Sequence, residues 1–416
     1  MSGRTPFSSY LDVFSKPRAA GRDSRDPSSS NVPGEVFTSQ SLWVPCGARG
    51  VFGGQVIAQS LVAAGKTIPS PLGLHSQHCY FVLPALASPP IEFHVERLRD
   101  GRSYATRLVK AVQRDKVIFV LIASYTLPPS AMPPLAQSGT PFSFTPMVDT
   151  ASPEEAQTRR STPVSHSLRF AVEQPTSGGD HPSQHRGWRG REGTSIPPFA
   201  PRFQIAFPEE VLVPEECEEE EDRWQRFLDE AGQNQTAKRK TSIEEYIQER
   251  RESPVSIAVA KRKLGRLDFE ANVRMIWVKA RLAPNERPDE ETAKAMIAYM
   301  TDFQFIGTAA RSVGLTWTSS PRLGMLASLD HTTHFYPFPK DFDPAEPMLH
   351  VMEGTIADVA SGRGVVRGLV YTRSGRLVAS TLQEGVVRAD LGRPERGLVE
   401  GGGVGETGEA KAKAKL

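Results

Sequence analysis

GGQVIAQSLVAAG, Gly53–Gly65, decides how the rest of the chain is read. Val56, Ile57, Ser60, Leu61 and Ala64 fall on one face at helical spacing, and no charged residue interrupts the run. The pattern predicts a helix buried on most sides. Strands are expected after it at HSQHCYFVL, PIEFHVERLRDG, RSYATRLVKAVQ and KVIFVLIASYTL, with Asp100-Gly101 as a hairpin turn. One apolar helix followed by antiparallel strands is an α+β unit, a sheet curled around its helix.

The same order returns later. TDFQFIGTAARSV reads as the second helix, followed by SLDHTTHFYP, MLHVMEGTIADVASG, RGVVRGLVYTR and RLVASTLQEGVVR as strands, with Ser361-Gly362 as the hairpin. Gln55 and Ile57 match Gln304 and Ile306, His75 and His78 match His331 and His334, and Arg102, Leu108 and Val109 match Arg363, Leu369 and Val370. The offset between copies grows in small steps, as loop insertions produce. The chain is therefore divided into an N-terminal arm (1–34), a first repeat (35–128), a polar linker with short helices (129–268), a second repeat (269–390) and a tail (391–416).

Composition narrows the function classes. Basic and acidic residues number 50 and 48, a net charge of +2, which gives no argument for a nucleic-acid or acidic-membrane partner. Three cysteines without metal-ligand spacing fit a reducing compartment. The N-terminus shows no apolar run suited to a signal peptide or membrane span, and reads as a mostly disordered arm. In the linker, the acidic run EECEEEED reads as solvated, Trp224, Phe227 and Leu228 as one short helix, and Thr241-Ser242-Ile243-Glu244 as the capping box of another. The terminal Ala414-Lys415-Leu416 has the small–basic–leucine pattern of a peroxisomal address, with a charged low-complexity tail as the alternative.

If the repeats share a fold, their chemical differences are informative. Asp302 matches Gly53, Ser328 matches Leu72 and Gln383 matches Ala123. Three polar groups thus occur in the second copy alone, as in a catalytic site kept in one half. Each also has an ordinary structural reading: Asp302 as a helix N-cap, Ser328 as a turn residue and Gln383 as an edge amide. No Gly-x-Ser-x-Gly nucleophile elbow occurs. The dinucleotide-like Gly403–Gly408 pattern lacks the strand and helix it requires. The histidine pairs are spaced to opposite strand faces, and no metal is expected.

VFGGQVIAQSLVAA, LHSQHCYFVLP, VERLRDGRSYATR, AYMTDF, SLDHTTHFY and LVASTLQEGVVR together resemble the type II acyl-CoA thioesterases, peroxisomal enzymes and their bacterial relatives. The resemblance spans both repeats. It implies a double hotdog fold and hydrolysis of fatty acyl-CoA to free fatty acid and CoA, with CoA as part of the substrate and no separate cofactor. It implies a water positioned by Asp302, Ser328 and Gln383, and homo-oligomers; Ala414-Lys415-Leu416 makes the peroxisomal import receptor an expected partner, with residence in the peroxisome or also the cytoplasm. Gly53 and Gly54 are expected to bring backbone donors to the substrate, and His78 to line the site. Arg102 and Arg363 are the basic groups considered for the CoA phosphates. The alternatives are a hotdog hydratase or dehydratase, with His331 or His334 paired to the aspartate, and a non-catalytic acyl-CoA-binding protein.

Overall fold

The computed structural model describes residues 5–16, 34–128, 211–231, 236–261, 273–316 and 319–391. The elements, in chain order, are α1 (Ser8–Leu11), β1 (Val13–Ser15), β2 (Glu35–Ser39), α2 (Gly53–Gly65), β3 (Gly73–Phe81), β4 (Glu92–Asp100), β5 (Tyr104–Gln113) and β6 (Lys116–Thr126). Then come α3 (Glu220–Ala231), α4 (Ala237–Glu252), β7 (Val255–Val259), β8 (Val273–Ala280), α5 (Glu290–Thr301) and α6 (Phe305–Ser312). The last strands are β9 (Arg322–Ser328), β10 (Asp330–Phe335), β11 (Met348–Asp358), β12 (Arg363–Tyr371) and β13 (Leu377–Asp390).

The strands form one sheet in the order β1-β2-β4-β5-β6-β3-β10-β13-β12-β11-β8-β7, with β9 added to β13. Its two halves mirror one another: β4-β5-β6-β3 meets β10-β13-β12-β11 through the antiparallel β3–β10 pair. In that pair Gln77 lies opposite Thr333, and Gln77 Nε2 donates to Thr333 Oγ1 at 3.1 Å. The offset of 256 found between the repeats links these same two residues, so a pseudo-twofold axis passes between them. Each half lays a helix, α2 or α6, against its own strands, which is the expected double hotdog.

Glycines let the second helix come close. A Cβ on Gly354 would lie 2.6 Å from the Ala309 nitrogen, and one on Gly385 would lie 2.5 Å from the Ile306 side chain. In the first half, buried Arg107 ties the C-terminal end of α2 to the β4–β5 hairpin. It donates to Thr67 Oγ1 (2.7 Å), the Thr67 carbonyl (3.0 Å), the Arg99 carbonyl (3.0 Å) and Asp100 Oδ1 (2.6 Å). Arg107→Ala leaves several of these acceptors unmatched and should cost at least about 1–3 kcal/mol, measured by urea unfolding. An unchanged midpoint would show that the cluster is not stabilising.

Several segments differ from the sequence reading. The arm contributes β1 to the sheet edge, and Phe7 and Leu11 to the core. The Phe7 and Ser8 amides donate to Glu286 at 2.9 and 2.7 Å. The segment read as linker supplies β7, paired with β8, so the second half of the sheet begins before residue 269. The Trp224 helix forms as α3, but Thr241 lies inside α4, whose N-cap is Thr236. The acidic run is not all solvated: Glu221 is buried and pairs with Arg281, and Glu220 accepts from Gln304 Nε2 at 2.7 Å. Buried cations and amides along α3 recruited those carboxylates, which composition alone could not show. Among the described residues, no helix is long and apolar enough to cross a membrane.

Candidate active site

Asp302 is the C-cap of α5, not the N-cap of α6: it has helical φ and ψ, and Gln304, at φ 58°, is the N-cap of α6. The residue pattern predicts one helix running through from Thr301. The chain instead breaks at Asp302–Gln304, and that break frees the carboxylate to leave the helix axis. It points to the other repeat. Asp302 Oδ2 accepts the Gly54 N–H at 2.8 Å, and Oδ1 accepts Gln383 Nε2 at 2.8 Å.

Gly54 is in the first turn of α2, where N–H groups lack intrahelical partners. The N-cap residue Phe52 offers no capping side chain, so Asp302 caps this helix from the opposite half. The positive end of α2 favours the charged carboxylate. A Cβ on Gly53 would lie 2.8 Å from Asp302 Oδ2, and one on Gly54 would lie 2.5 Å from the Tyr299 carbonyl. Only glycine permits this approach without a shift.

Burial pushes the Asp302 carboxyl above the usual aspartate range, against the lowering effect of the Gln383 and Gly54 hydrogen bonds. The residue as a whole is intermediate in exposure, while its carboxyl group sits inside the protein.

Gln383 is fully buried on the concave face of β13. Its neighbour Glu384 points the other way and pairs with Arg363 at 2.5 Å. Gln383 Oε1 is buried and accepts no hydrogen bond among the described residues. By strand register, Thr381 stands opposite Thr333 as Ala123 stands opposite Gln77. Gln383 therefore occupies the position of Tyr125, and the sequence match to Ala123 was displaced by two residues.

Ser328 ends β9 opposite Gly385. Residues two apart on a strand share a face, so Ser328 lies on the Gln383 side, one diagonal step away. Its junction with β10 is pinned: the Leu329 amide donates to the Glu384 carbonyl at 2.8 Å, and the Glu384 amide to Asp330 Oδ1 at 2.6 Å. His78 is elsewhere. It is exposed on β3, contacts Thr332 Oγ1 at 3.2 Å and stacks edge-on against His334. Pleat alternation sends it to the opposite face from buried Gln77 and Cys79. His331 is buried beside Gln77 at 3.1 Å, and neither it nor His334 hydrogen-bonds to Asp302.

Aromatic side chains that the sequence does not single out cluster at the start of α2, beside the Asp302–Gly54 contact. Phe52 packs on Phe303 at 4.4 Å and on Tyr299 at 5.0 Å, and Trp43 packs on Phe52 at 5.4 Å. A Cβ on Gly53 would touch Phe81. Phe52 before the glycines and Phe303 after the aspartate were the available signals. Among the described residues, no group of three or more His, Cys, Asp or Glu is placed to hold a metal.

Two family models match the chain: the acyl-CoA thioesterase N-terminal domain over residues 40–126, and the C-terminal domain over residues 214–387. The chain belongs to the acyl-CoA thioesterase family. Members are acyl-CoA thioester hydrolases. Acyl-coenzyme A thioesterase 8 of Mus musculus is 28% identical over 356 residues, covering 85% of each chain. Peroxisomal acyl-coenzyme A thioester hydrolase 1 of Saccharomyces cerevisiae is 37% identical over 87 residues, 21% of this chain and 25% of that one. Acyl-CoA thioesterase II TesB2 from Mycobacterium marinum has the same fold, with a TM-score of 0.50, 22% identity, and coverage of 92% of this chain and 98% of that one. The thioesterase models meet at the Asp302–Gly54 contact, one partner from each domain.

Proposed function

We propose that the protein hydrolyses fatty acyl-CoA to free fatty acid and CoA, using a water held by Asp302, Gln383 and Ser328. The observation that carries this reading is the Asp302 carboxylate clamped between Gln383 Nε2 and the Gly54 N–H, both at 2.8 Å. A water donating one proton to Asp302 and the other to Gln383 Oε1 would keep a lone pair for the thioester carbonyl carbon. Ser328, on the same face, supplies a third contact and lowers the entropy of attack.

As the new C–O bond forms, Asp302 takes the proton, and the carbonyl oxygen becomes an oxyanion. The first-turn N–H of Gly53, at the positive end of α2, would supply a backbone donor to it. Collapse breaks the C–S bond, and Asp302 returns the proton to the departing thiolate. His78 has no part in this reading. A peroxisomal site of action belongs to the same proposal, supported by Ala414-Lys415-Leu416, which lies outside the described residues, and by the yeast relative's name.

The test is thiol release from acyl-CoAs of graded chain length. No release by folded protein from any of them would overturn the reading. The pH profile adds a second check. Because burial raises the Asp302 pKa, kcat/KM should fall with decreasing pH through a value above the free aspartate range. Gln383→Glu places a second carboxylate beside the first, so the pair shares a proton and the acid limb should move to higher pH. An unmoved limb would remove Asp302 from the role of base.

A further inference from the structure

Arg223 on α3, Arg274 on β8 and Arg311 on α6 converge on a cavity of about 330 Å³, which Thr308 also lines. Nearby arginines have carboxylate partners: Arg226 on α3 meets Glu218 at 2.8 Å, and Arg281, just after β8, meets Glu219 at 2.8 Å. The three around the cavity have none within ion-pair distance among the described residues, and Arg274 Nε is buried without a hydrogen-bond partner. Their charges oppose one another. Burial and then Arg311 push Arg274 down to about 10, and burial and then Arg223 lower Arg311. Glu220 acts on Arg274 in the opposite sense; its carboxylate accepts from Gln304 Nε2 at 2.7 Å and faces Arg250 Nε at 3.9 Å, and it does not line the cavity.

Three guanidinium groups facing one space, with no carboxylate between them, favour a multiply charged oxyanion. Their planar donor forks match phosphate oxygens better than ammonium groups would. The cavity's place is also informative. Arg274 is on β8, and Gln383 is on β13, separated by β12 and β11. Three strand spacings make roughly 14 Å, a span that an extended pantetheine arm covers. α6 lies between the two places: Ile306 packs over Gly385, while Thr308 and Arg311, three residues apart on one helix face, reach the cavity. Arg363, the basic group considered from sequence, is already held by Glu384.

We propose that this cavity is a phosphate-ester site. On the thioesterase reading, on which this assignment rests, its occupant is the 3′-phospho-ADP end of the acyl-CoA substrate. The experiment uses the full chain in calorimetric titration with adenosine 3′,5′-bisphosphate, alongside kinetics on acyl-CoA and on the matching acyl-pantetheine. Arg274→Gln and the more exposed Arg311→Gln should each weaken bisphosphate binding about tenfold or more. Each should raise KM for acyl-CoA by a similar factor, and the effect should vanish with acyl-pantetheine. Bisphosphate binding that weakens in the variants, with KM for acyl-CoA unmoved, would keep the phosphate site and assign it to a free nucleotide. Binding that is absent, or equal in wild type and both folded variants, overturns the site. Failure of the hydrolysis reading is separately visible, as no turnover of either thioester while the calorimetric result stands.

Discussion

Asp302→Asn is expected to lower kcat for acyl-CoA hydrolysis by about 10²-fold or more and to leave the protein at least as stable. The first half follows from proton transfer: asparagine has no basic oxygen. The second half follows from burial. The amide oxygen of the substituted side chain would still accept from the Gly54 N–H, and the Gln383 amide can turn to accept from the new NH₂ group. Because the folded-state pKa of Asp302 is raised, its contribution to stability is present below the unfolded value and lost as pH rises through the folded one. At neutral pH the ionised carboxylate is therefore a destabilising element, and its neutral isostere should raise Tm by about a degree or more. Activity and melting curves on one preparation test both. Retained turnover would exclude Asp302 as base, and a sharply lowered Tm would mean that the charge is structural.

Gly54→Ala should be nearly as damaging, through geometry alone. The added methyl meets the Tyr299 carbonyl at 2.5 Å and the Phe52 ring at 2.6 Å. The carbonyl belongs to α5 and cannot swing aside, so the start of α2 must move away from Asp302. Displacement of about 1 Å at a reacting centre can cost about 10²-fold in rate, with about 1–3 kcal/mol of overpacking strain. Rate and urea midpoint should fall together, whereas Asp302→Asn separates them. Normal turnover in Gly54→Ala would show that the contact between the halves is dispensable.

The repeat was readable from sequence because helix and strand periods survive even where residue identity does not. The offset at His75 and His331 placed the central pair in register. Gln383 and Glu384 are neighbours on one strand, so one of the two polar side chains has to face inward, but the sequence does not say which, and the counterpart of Gln383 in the first repeat lies two residues from the expected one. What escaped notice is non-local. The break after α5 depends on Gln304 adopting positive φ, and no local residue pattern signals it. The aromatic wall and the arginine cavity join side chains far apart in the chain. β7 and the buried glutamates were hidden by a polar composition that resembles linker.

Fusion of the two halves into one sheet removes a constraint that any pair of identical subunits must obey. In a symmetric pair every substitution appears twice, so a residue good for one role is imposed on the partner's role as well. Here the first half can keep glycines at a helix start and a tyrosine at position 125, while the second keeps an aspartate at 302 and a glutamine at 383. Joined in one chain, the halves are free to become complementary instead of equal.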